Sequence, residues 1–296
     1  MSDRPMQSLL DTRATPRKVL VLGSTGMVGR SWVELLKMQN IPYVGVSRPA
    51  FDLMKPESIK QCVTGDFDLV VNAAAWTDVD GAESDESGAQ RANAYALAEI
   101  AQCCIEHDSI LITYSTDYVF SGDANSPYRI DAPINPINSY GRSKALGEQL
   151  ISESNAKHIL IRTSWVYAPW GSNFVRTIHK LAQTKDDLQV VNDQRGRPTS
   201  AQHLAIASLN LYAAGAIGFW HVTDGQECTW FAFAREITEY CKLQCEVKPC
   251  TSDQYPRPAR RPAYSTLDIT DTVSAIGILG DWQNHLHCVL DQLKTD

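Results

Sequence analysis

The sequence predicts an α/β fold built on a doubly wound parallel sheet, followed by a smaller α/β substrate-binding domain. Two observations support this prediction. Short, continuous apolar runs, of the kind that buried parallel strands need, recur along the first half of the chain. Each run is followed by a longer stretch with helical spacing. Strands that alternate with helices in this way imply right-handed crossovers within one parallel sheet.

The predicted elements begin at Arg17, because residues 1–16 show no periodicity and are expected to form a loose tail. The strands are expected at 18–22, 43–46, 68–72, 109–113 and 158–162. The helices are expected at 27–38, 56–64, 87–107, 140–154, 202–214 and 230–242. After about Trp165 the loops become rich in Pro and Gly. We therefore assign 17–164 to a first domain and 165–296 mainly to a second, with an interleaved boundary.

Composition excludes several classes of protein. Of 296 residues, 44% are hydrophobic and 21% are charged, which is ordinary for a globular chain. The net charge of -7 argues against nucleic-acid binding, because phosphate neutralisation needs a basic surface. No apolar run is long enough for a membrane span and the start does not resemble a secretion signal, so a cytoplasmic location and no membrane partner are expected.

A glycine-rich turn follows the first predicted strand. The segment Gly23-Ser24-Thr25-Gly26-Met27-Val28-Gly29 fits G-x-x-G-x-x-G between a buried strand and a helix. Glycines let the backbone turn tightly and approach a pyrophosphate, whose charge then meets the amides at the helix N-terminus. The turn predicts a dinucleotide site in 17–164, which is then a Rossmann-type domain.

The end of the second predicted strand indicates which dinucleotide is bound. Sites that prefer NAD usually carry an acidic residue there, and this chain has Ser47-Arg48 instead. A guanidinium and a hydroxyl suit a 2′-phosphate, so NADPH is predicted and NADH is the alternative. Asp52 and Leu53 are expected near the adenine. Small side chains at Ala73-Ala74-Ala75 would let the backbone approach the bound nucleotide.

A Y-x-x-x-K pattern predicts the catalytic groups. Tyr140 and Lys144 lie one turn apart on a predicted helix, so both side chains share one face. A nearby ammonium is expected to lower the pKa of the phenol, which can then give a proton to a carbonyl oxygen as hydride reaches the carbon. Thr116, at the end of the preceding strand, completes a proposed triad, because ligands of open α/β sheets bind beyond the carboxyl ends of the strands.

These motifs belong to a longer ordered series. The chain resembles the dTDP-4-dehydrorhamnose reductase family of extended short-chain dehydrogenases over nearly all residues after Arg17. The matching segments are 23–29, 72–80, 115–120, 140–148, 162–167, 173–174, 193–194, 198–199 and 259–262. The resemblance implies NADPH-dependent reduction of the 4-keto group of dTDP-4-dehydro-L-rhamnose in nucleotide-sugar synthesis.

The resemblance also implies roles for individual positions. For the cofactor it implies Gly26, Met27, Val28, Asp52, Leu53, Ala75, Trp76, Thr77, Tyr114, Tyr140 and Lys144. For the sugar it implies Thr116, Asp117 and Trp165, whose aromatic face suits the apolar side of a deoxyhexose. We add Asn173 to the substrate site, with Arg260 and Arg261 as candidates for a pyrophosphate clamp, although one of these arginines could form a structural ion pair.

No metal site is predicted. Some members of the family join two subunits through magnesium held partly by a glutamate, and the corresponding residue here is Gln202, a poorer ligand for a hard cation. Magnesium is therefore left out, and a homodimer stays open. The 8 cysteines show no paired C-x-x-C elements. A late group is interpreted as ordinary thiols and imidazoles rather than as a metal site, and consists of Cys241, Cys245, Cys250, His285, His287 and Cys288.

Three alternatives are weighed against this reading. A 4,6-dehydratase or epimerase shares the fold, but related dehydratases place Asp-Glu directly after the threonine and this chain has Asp117-Tyr118. A reductase of another nucleotide-linked 4-keto-6-deoxy sugar is a second alternative. The third is a non-catalytic nucleotide-binding subunit, similar to the regulatory subunit of methionine adenosyltransferase. The presence of Thr116, Tyr140 and Lys144 together counts against the third.

Overall fold

The first layer of the fold is a six-stranded parallel sheet. A computed structural model describes residues 15–294 of the chain, so most of the predicted tail lies outside the described residues. The strand order is β2-β1-β3-β4-β5-β10 and every pairing is parallel. The bounds are β1 Val19–Leu22, β2 Tyr43–Val46, β3 Leu69–Asn72, β4 Ile110–Thr116, β5 His158–Thr163 and β10 Gly218–His221. The predicted doubly wound sheet is confirmed.

Helices cover both faces of this sheet. Successive residues of β1 point to opposite sides, with Val19 and Val21 packing in one core cluster and Leu20 and Leu22 in the other. The helices of residues 15–213 are α1 Met27–Met38, α2 Pro56–Cys62, α3 Gly81–Ser84, α4 Glu86–Gln90, α5 Ala96–Glu106, α6 Ser139–Glu153, α7 Phe174–Ala182 and α8 Ala201–Ala213. Helices α1 and α8 supply the first cluster, and α2 and α5 supply the second.

The second half of the chain is divided between this sheet and a separate core. Strand β10 pairs with β5, so part of 165–296 belongs to the first layer. The other strands are β6 Val166–Tyr167, β7 Asp187–Val191, β8 Arg195–Gly196, β9 Thr199–Ser200, β11 Cys228–Thr229 and β12 Glu246–Cys250. The remaining helices are α9 Trp230–Tyr240, α10 Thr270–Ile276 and α11 Trp282–Leu293. Side chains of α7, α9 and α11 form the separate core.

Three predicted boundaries need correction. The helix expected over 87–107 is divided by a π-helix over Arg91–Tyr95, which lies between α4 and α5. Strand β4 runs three residues further than 113 and ends at Thr116. The last helix expected, 230–242, ends at Tyr240, because Lys242 takes a left-handed φ of 54° that no helix can continue. The short strands β6, β7, β8, β9, β11 and β12 were not predicted.

No helix within residues 15–294 is both long enough and apolar enough to cross a membrane.

Candidate active site

The glycine-rich turn connects β1 to α1 at the carboxyl end of the sheet. Gly23 has a φ of +77°, and a Cβ added there would lie 2.9 Å from Ala74. A Cβ on Gly29 would lie 2.1 Å from the Gly23 carbonyl oxygen, so no side chain fits at that position. Helix α1 begins after Gly26 with no side-chain cap and no acidic residue in its first turn. Its free N–H groups therefore fit the pyrophosphate of a dinucleotide.

The neighbouring strand end carries the groups predicted to select the cofactor. The Ser47 hydroxyl accepts the Thr25 N–H at 3.1 Å, which ties the end of β2 to the glycine turn. The Arg48 guanidinium pairs with no carboxylate of residues 15–294, within 4.0 Å. A cation with no partner beside an anion-binding turn suits a 2′-phosphate better than a bare ribose.

The other predicted cofactor residues differ in how much of each is exposed to solvent. Asp52 is half-buried, and its carboxylate accepts the Met54 N–H at 3.0 Å, whereas Leu53 is 9% exposed and packs in the core. Ala73 donates its N–H to the Leu22 carbonyl, which places the Ala73–Ala75 run against the glycine turn. Trp76 is half-buried and Thr77 is exposed.

The side chain of Tyr114 lies in the core, whereas its backbone carbonyl lies at the site. Its hydroxyl lies 2.6 Å from Trp32 Nε1 and 3.0 Å from Ser208 Oγ, between α1 and α8. Burial raises the pKa of Tyr114 to about 12. The backbone carbonyl, by contrast, accepts Lys144 Nζ at 2.8 Å. The phenol of Tyr114 is therefore a core group, and only its carbonyl faces the predicted cofactor site.

The predicted triad comes together where β4 meets α6. Thr116 is the last residue of β4, and Tyr140 and Lys144 lie in the first turns of α6. Asn138 caps α6 by accepting the Gly141 N–H at 2.7 Å, which fixes the start of the helix. The Thr116 side chain is a hydrogen-bond neighbour of the Tyr140 phenol and stabilises its ionised form.

The electrostatics of Tyr140 differ from the expectation. Burial, followed by the charge of Asp117, raises the pKa of Tyr140 well above its ordinary value, and the Thr116 hydrogen bond only partly opposes this. Lys144 was expected to lower that pKa, but its ammonium donates to the Tyr114 carbonyl. Burial also lowers the pKa of Lys144 to about 8, against the opposing charge of Glu148. The expected direction for the phenol is therefore wrong, and Tyr140 keeps its proton at neutral pH.

Asp117 is a buried carboxyl beside the triad. Its Oδ1 accepts the Thr116 hydroxyl at 3.0 Å, and its Oδ2 has no hydrogen-bond partner within residues 15–294. Burial raises the pKa of Asp117 to about 6, although Ser265 and Thr116 oppose the shift. The carboxyl thus lies buried between the hydroxyls of Thr116 and Ser265.

Trp165 forms an aromatic wall near the same carboxyl. Its backbone has a φ of 47°, a left-handed value that is costly for an aromatic residue and often marks a functional site. The indole stacks on Trp230 with centroids 3.6 Å apart. A Cβ on Gly196 would lie 2.8 Å from Trp165 and 3.0 Å from Ser265, the neighbour of Asp117. Trp165 is thus brought close to the catalytic groups.

The two arginines of the predicted clamp differ in their burial and in their partners. Arg261 forms an ion pair with Asp80 at 3.1 Å, yet its Nη1 is buried without a partner in the described chain. Burial raises the pKa of Asp80, but the Ala259 N–H, Arg257 and Arg261 outweigh it, so that pKa lies below the usual range. Arg260 is exposed, and its carbonyl accepts Asn138 Nδ2 at 2.8 Å. The clamp stays a prediction, and of the two arginines only Arg261 has a buried N–H group without a partner in residues 15–294.

Asn173, predicted in the substrate site, is hydrogen-bonded to the backbone around it. Its Oδ1 caps α7 by accepting the Arg176 N–H at 3.2 Å, and its Nδ2 donates to the carbonyls of Ala168 and Trp170. Backbone groups thus take up both amide hydrogens and one hydrogen bond to the amide oxygen. In this structure Asn173 has no N–H left to donate to a substrate. It holds the loop that packs against Met27 of the glycine turn.

Two positioning residues were missed in the sequence. Asn93, in the π-helix, accepts the Trp76 N–H at 2.9 Å and donates Nδ2 to Ser143 Oγ at 2.9 Å. Ser143 in turn donates to the Tyr140 carbonyl at 2.7 Å. This chain of hydrogen bonds links the Ala75–Trp76 segment to the catalytic helix. The available signal was an asparagine on the apolar side of a predicted helix, where a polar residue needs a partner.

Gln202, the residue expected at the position of the family's glutamate, is paired with another amide. Gln202 Nε2 lies 3.5 Å from Gln292 Oε1, and the reverse contact is 3.4 Å. Hard cations prefer carboxylate and carbonyl oxygens and gain little charge compensation from two neutral amides. These residues do not fit a magnesium site, so we derive no step that uses magnesium.

Comparison with known proteins places this geometry in context. The family described as RmlD substrate binding domain matches residues 17–295. A dTDP-4-dehydrorhamnose reductase of Burkholderia thailandensis is 36% identical over 94% of this chain and 99% of its own length. A dTDP-4-keto-6-deoxy-D-glucose reductase of Streptomyces niveus is 36% identical over 84% and 87%. A dTDP-4-dehydrorhamnose reductase of Bacillus anthracis, solved with NADP, has a TM-score of 0.90 at 29% identity and covers 94% and 100%.

Proposed function

The chain belongs to the dTDP-4-dehydrorhamnose reductase family, and we propose that it is an NADPH-dependent oxidoreductase that reduces the C4 keto group of dTDP-4-dehydro-L-rhamnose to give dTDP-L-rhamnose. The observation that supports this most strongly is the meeting of Thr116, Tyr140 and Lys144 at the carboxyl end of β4. That edge of the sheet also carries the glycine turn, so cofactor and substrate would meet there.

The phenol of Tyr140 is the proposed acid. The raised pKa keeps the Tyr140 phenol protonated at neutral pH, and the phenol can pass this proton to the carbonyl oxygen once hydride transfer makes that oxygen a strongly basic alkoxide. The Thr116 hydroxyl donates to Asp117 Oδ1 in the structure, and it would turn this single O–H to the same substrate oxygen when the sugar binds. Bound NADPH would supply the hydride that reduces C4. The developing negative charge on oxygen is thus met by two hydroxyl groups.

Lys144 has the proposed role of a fixed cation. Its Nζ donates one hydrogen bond to the Tyr114 carbonyl, and its other two hydrogens would bond to the hydroxyls of a ribose. The glycine turn with the N-terminus of α1 would hold the pyrophosphate, and Arg48 would hold the 2′-phosphate. Asp117 and Trp165 would position the sugar through a hydrogen bond and an apolar contact.

The proposed partners and location follow from this reaction. The substrate is a nucleotide-linked sugar, and the activity is proposed for the cytoplasm, without nucleic-acid or membrane partners. A homodimer is kept as a proposal that does not depend on magnesium, since Gln202 stands where the resemblance would place a glutamate and is paired with a second neutral amide, Gln292. Light scattering with and without a chelator tests it: a dimer that dissociates on chelation would contradict this part of the proposal.

A second substrate is favoured by one comparison. The Streptomyces niveus relative acts on a dTDP-4-keto-6-deoxy sugar of the D-gluco series, according to its name. The two sugars differ in ring configuration, which the pocket beside Trp165 would have to distinguish. We place this reaction second because the similarity to the rhamnose enzyme covers more of both chains.

A substrate panel tests the proposed function. Purified protein is mixed with NADPH and either dTDP-4-dehydro-L-rhamnose or dTDP-4-keto-6-deoxy-D-glucose, and the absorbance of the reduced nicotinamide is followed. We expect a higher kcat/KM with the rhamnose precursor. Tight NADPH binding without turnover of either sugar would favour the non-catalytic regulatory function instead.

Removal of Arg48 should change the choice of cofactor. In Arg48→Ala we expect KM for NADPH to rise about 10- to 100-fold, the loss that fits one charge-assisted hydrogen bond to a phosphate. KM for NADH should stay within about twofold, because NADH has no 2′-phosphate. Lys60→Ala, which removes an exposed cation from α2, is the matched control. An equal effect on both cofactors would contradict this role.

The two arginines of the clamp should differ in effect. We expect Arg261→Ala to raise KM for the nucleotide sugar about tenfold or more. The buried Nη1 of Arg261 has no acceptor within residues 15–294 and would donate to the pyrophosphate. Arg260→Ala should have a smaller effect, since this side chain is exposed. Arg257→Ala, which also removes a partner of Asp80, controls for the lost ion pair. Unchanged KM values in both Arg260→Ala and Arg261→Ala would refute the clamp.

The rate should depend on the protonation of Lys144. Burial lowers its pKa to about 8, so the ammonium is present below that pH and is lost as the pH rises through it. We therefore expect kcat/KM to fall above about pH 8, whereas the raised pKa of Tyr140 keeps the phenol protonated throughout. Steady-state kinetics in overlapping buffers measure the profile. A rate that increases through pH 8 would show that the neutral amine is the active form.

A further inference from the structure

Three side chains from separate elements converge inside the second half of the chain. His203 lies in the first turn of α8, Asp224 in the loop after β10, and His285 in α11. The His203 Nδ1 is 2.6 Å from Asp224 Oδ1, and the His285 Nδ1 is 3.0 Å from that same oxygen. Within residues 15–294 this is the single group of three or more such side chains whose ligand atoms all lie within 4.8 Å of one another.

Two hydrogen bonds hold the second oxygen of the Asp224 carboxylate in place. Asp224 is fully buried, and its Oδ2 accepts the Ser200 N–H at 2.9 Å and the Tyr167 hydroxyl at 3.3 Å. These contacts fix the plane of the carboxylate and leave Oδ1 to the two imidazoles. Metal-binding carboxylates are commonly oriented by such outer hydrogen bonds, which keep one oxygen directed at the ion.

One imidazole has no proper hydrogen bond. His203 bonds to Asp224 Oδ1, whereas the His285 Nδ1 approaches that oxygen at 3.0 Å without the geometry of a hydrogen bond, to it or to any other described residue. The two ring nitrogens and the carboxylate oxygen lie within 4.8 Å of one another, so each could give a lone pair to one cation.

We propose that His203, Asp224 and His285 bind one divalent transition-metal ion of the Zn²⁺ class. Two imidazole nitrogens with one carboxylate suit zinc, cobalt or nickel, whereas magnesium and calcium prefer oxygen ligands throughout. A divalent ion also compensates the buried charge of Asp224. The site lies within one chain and uses none of the proposed catalytic residues, so it does not depend on the proposed reaction.

The geometry requires only small movements. Bonds of about 2.0–2.1 Å around a tetrahedral ion separate its ligand atoms by about 3.3 Å. The two nitrogen-to-oxygen distances of 2.6 and 3.0 Å must therefore widen by about 0.7 and 0.3 Å. A water molecule would complete the coordination. The ion would connect α8, the loop after β10 and α11, so its expected effect is on stability.

This site differs from the late group considered in the sequence. Of those cysteines and histidines, only His285 belongs to the cluster, and the structure shows the cysteines as free thiols. His287, two residues along α11, instead pairs with Glu236 at 2.7 Å. His287 therefore serves as a control on the same helix.

Cobalt titration tests the site. The full chain is stripped with a chelator and titrated with Co²⁺, whose visible absorption reports its coordination, and the thermal midpoint is measured with and without Zn²⁺. We expect one ion per chain and a higher midpoint with zinc. Affinity should drop at least about tenfold in His285→Gln and stay unchanged in His287→Gln. Thermal melts without metal check that both variants fold.

Three results would overturn the proposal: no stoichiometric binding by the wild type, unchanged affinity in His285→Gln, or a thiolate charge-transfer band, which would assign the ion to cysteines. If His285→Gln does not fold, X-ray absorption of the zinc-loaded wild type decides. Two imidazoles with oxygen ligands would support the site, and sulfur ligands would exclude it.

Discussion

Tyr140→Phe should reduce kcat about 10²- to 10⁴-fold, the contribution typical of a positioned general acid. The substitution removes one oxygen and leaves the ring, which makes an edge contact with Tyr118 at 5.9 Å between centroids. The affinity for NADPH should therefore change little, since Lys144 keeps its bond to the Tyr114 carbonyl. Stopped-flow reduction and equilibrium NADPH binding measure the two effects separately.

A matched variant distinguishes the acid from general damage to the site. Tyr118→Phe removes a neighbouring buried phenol next to Asp117, outside the proposed proton path. We expect its kcat to stay within about tenfold of the wild type. If Tyr140→Phe retained most of the rate, another group would have to supply the proton, and Asp117, with a pKa of about 6, would be the first candidate.

Glu148→Gln should lower the free energy of unfolding by about 3–5 kcal/mol, because it leaves a buried guanidinium without its counter-charge. The Arg162 and Glu148 side chains are 4% and 2% exposed, and Arg162 Nη2 lies 2.8 Å from the carboxylate. The pair joins α6, the helix that carries Tyr140 and Lys144, to β5. Urea denaturation with a structural and a fluorescence probe measures the loss.

An exposed ion pair provides the control for this stability prediction. Arg235 and Glu239 pair on the surface of α9 with about half of each side chain exposed. Glu239→Gln should therefore change the free energy of unfolding by less than about 1 kcal/mol. Equal losses in the two variants would mean that burial does not set the strength of the Arg162–Glu148 pair.

The parts of the site that sequence reasoning identified are those encoded locally. The glycine turn lies between one strand and one helix, and Tyr140 and Lys144 share a helical face. Both patterns need only neighbouring residues. The strand and helix alternation likewise predicted the sheet, because each buried run is short and continuous in the sequence.

The parts that sequence reasoning missed depend on contacts between distant residues. The amide of Asn93 reaches both Trp76 and Ser143 only because a π-helix turns it toward α6. Asp117 meets Ser265, and Tyr114 directs its phenol to α1 and α8 rather than to the cofactor. The pKa of Tyr140 was misjudged for the same reason, since burial by the surrounding fold and the charge of Asp117 raise it, while Lys144 bonds to the Tyr114 carbonyl.

Transfer of deuterium tests the central claim most directly. Purified protein is incubated with dTDP-4-dehydro-L-rhamnose and NADPH deuterated at nicotinamide C4 on either face, and the sugar product is analysed by mass spectrometry and NMR. We predict dTDP-L-rhamnose with one deuterium at sugar C4 from one of the two labelled cofactors, and none in Tyr140→Phe over the same period. A product without deuterium at C4 from both labelled cofactors, or a product with the other C4 configuration, would contradict the proposed reaction.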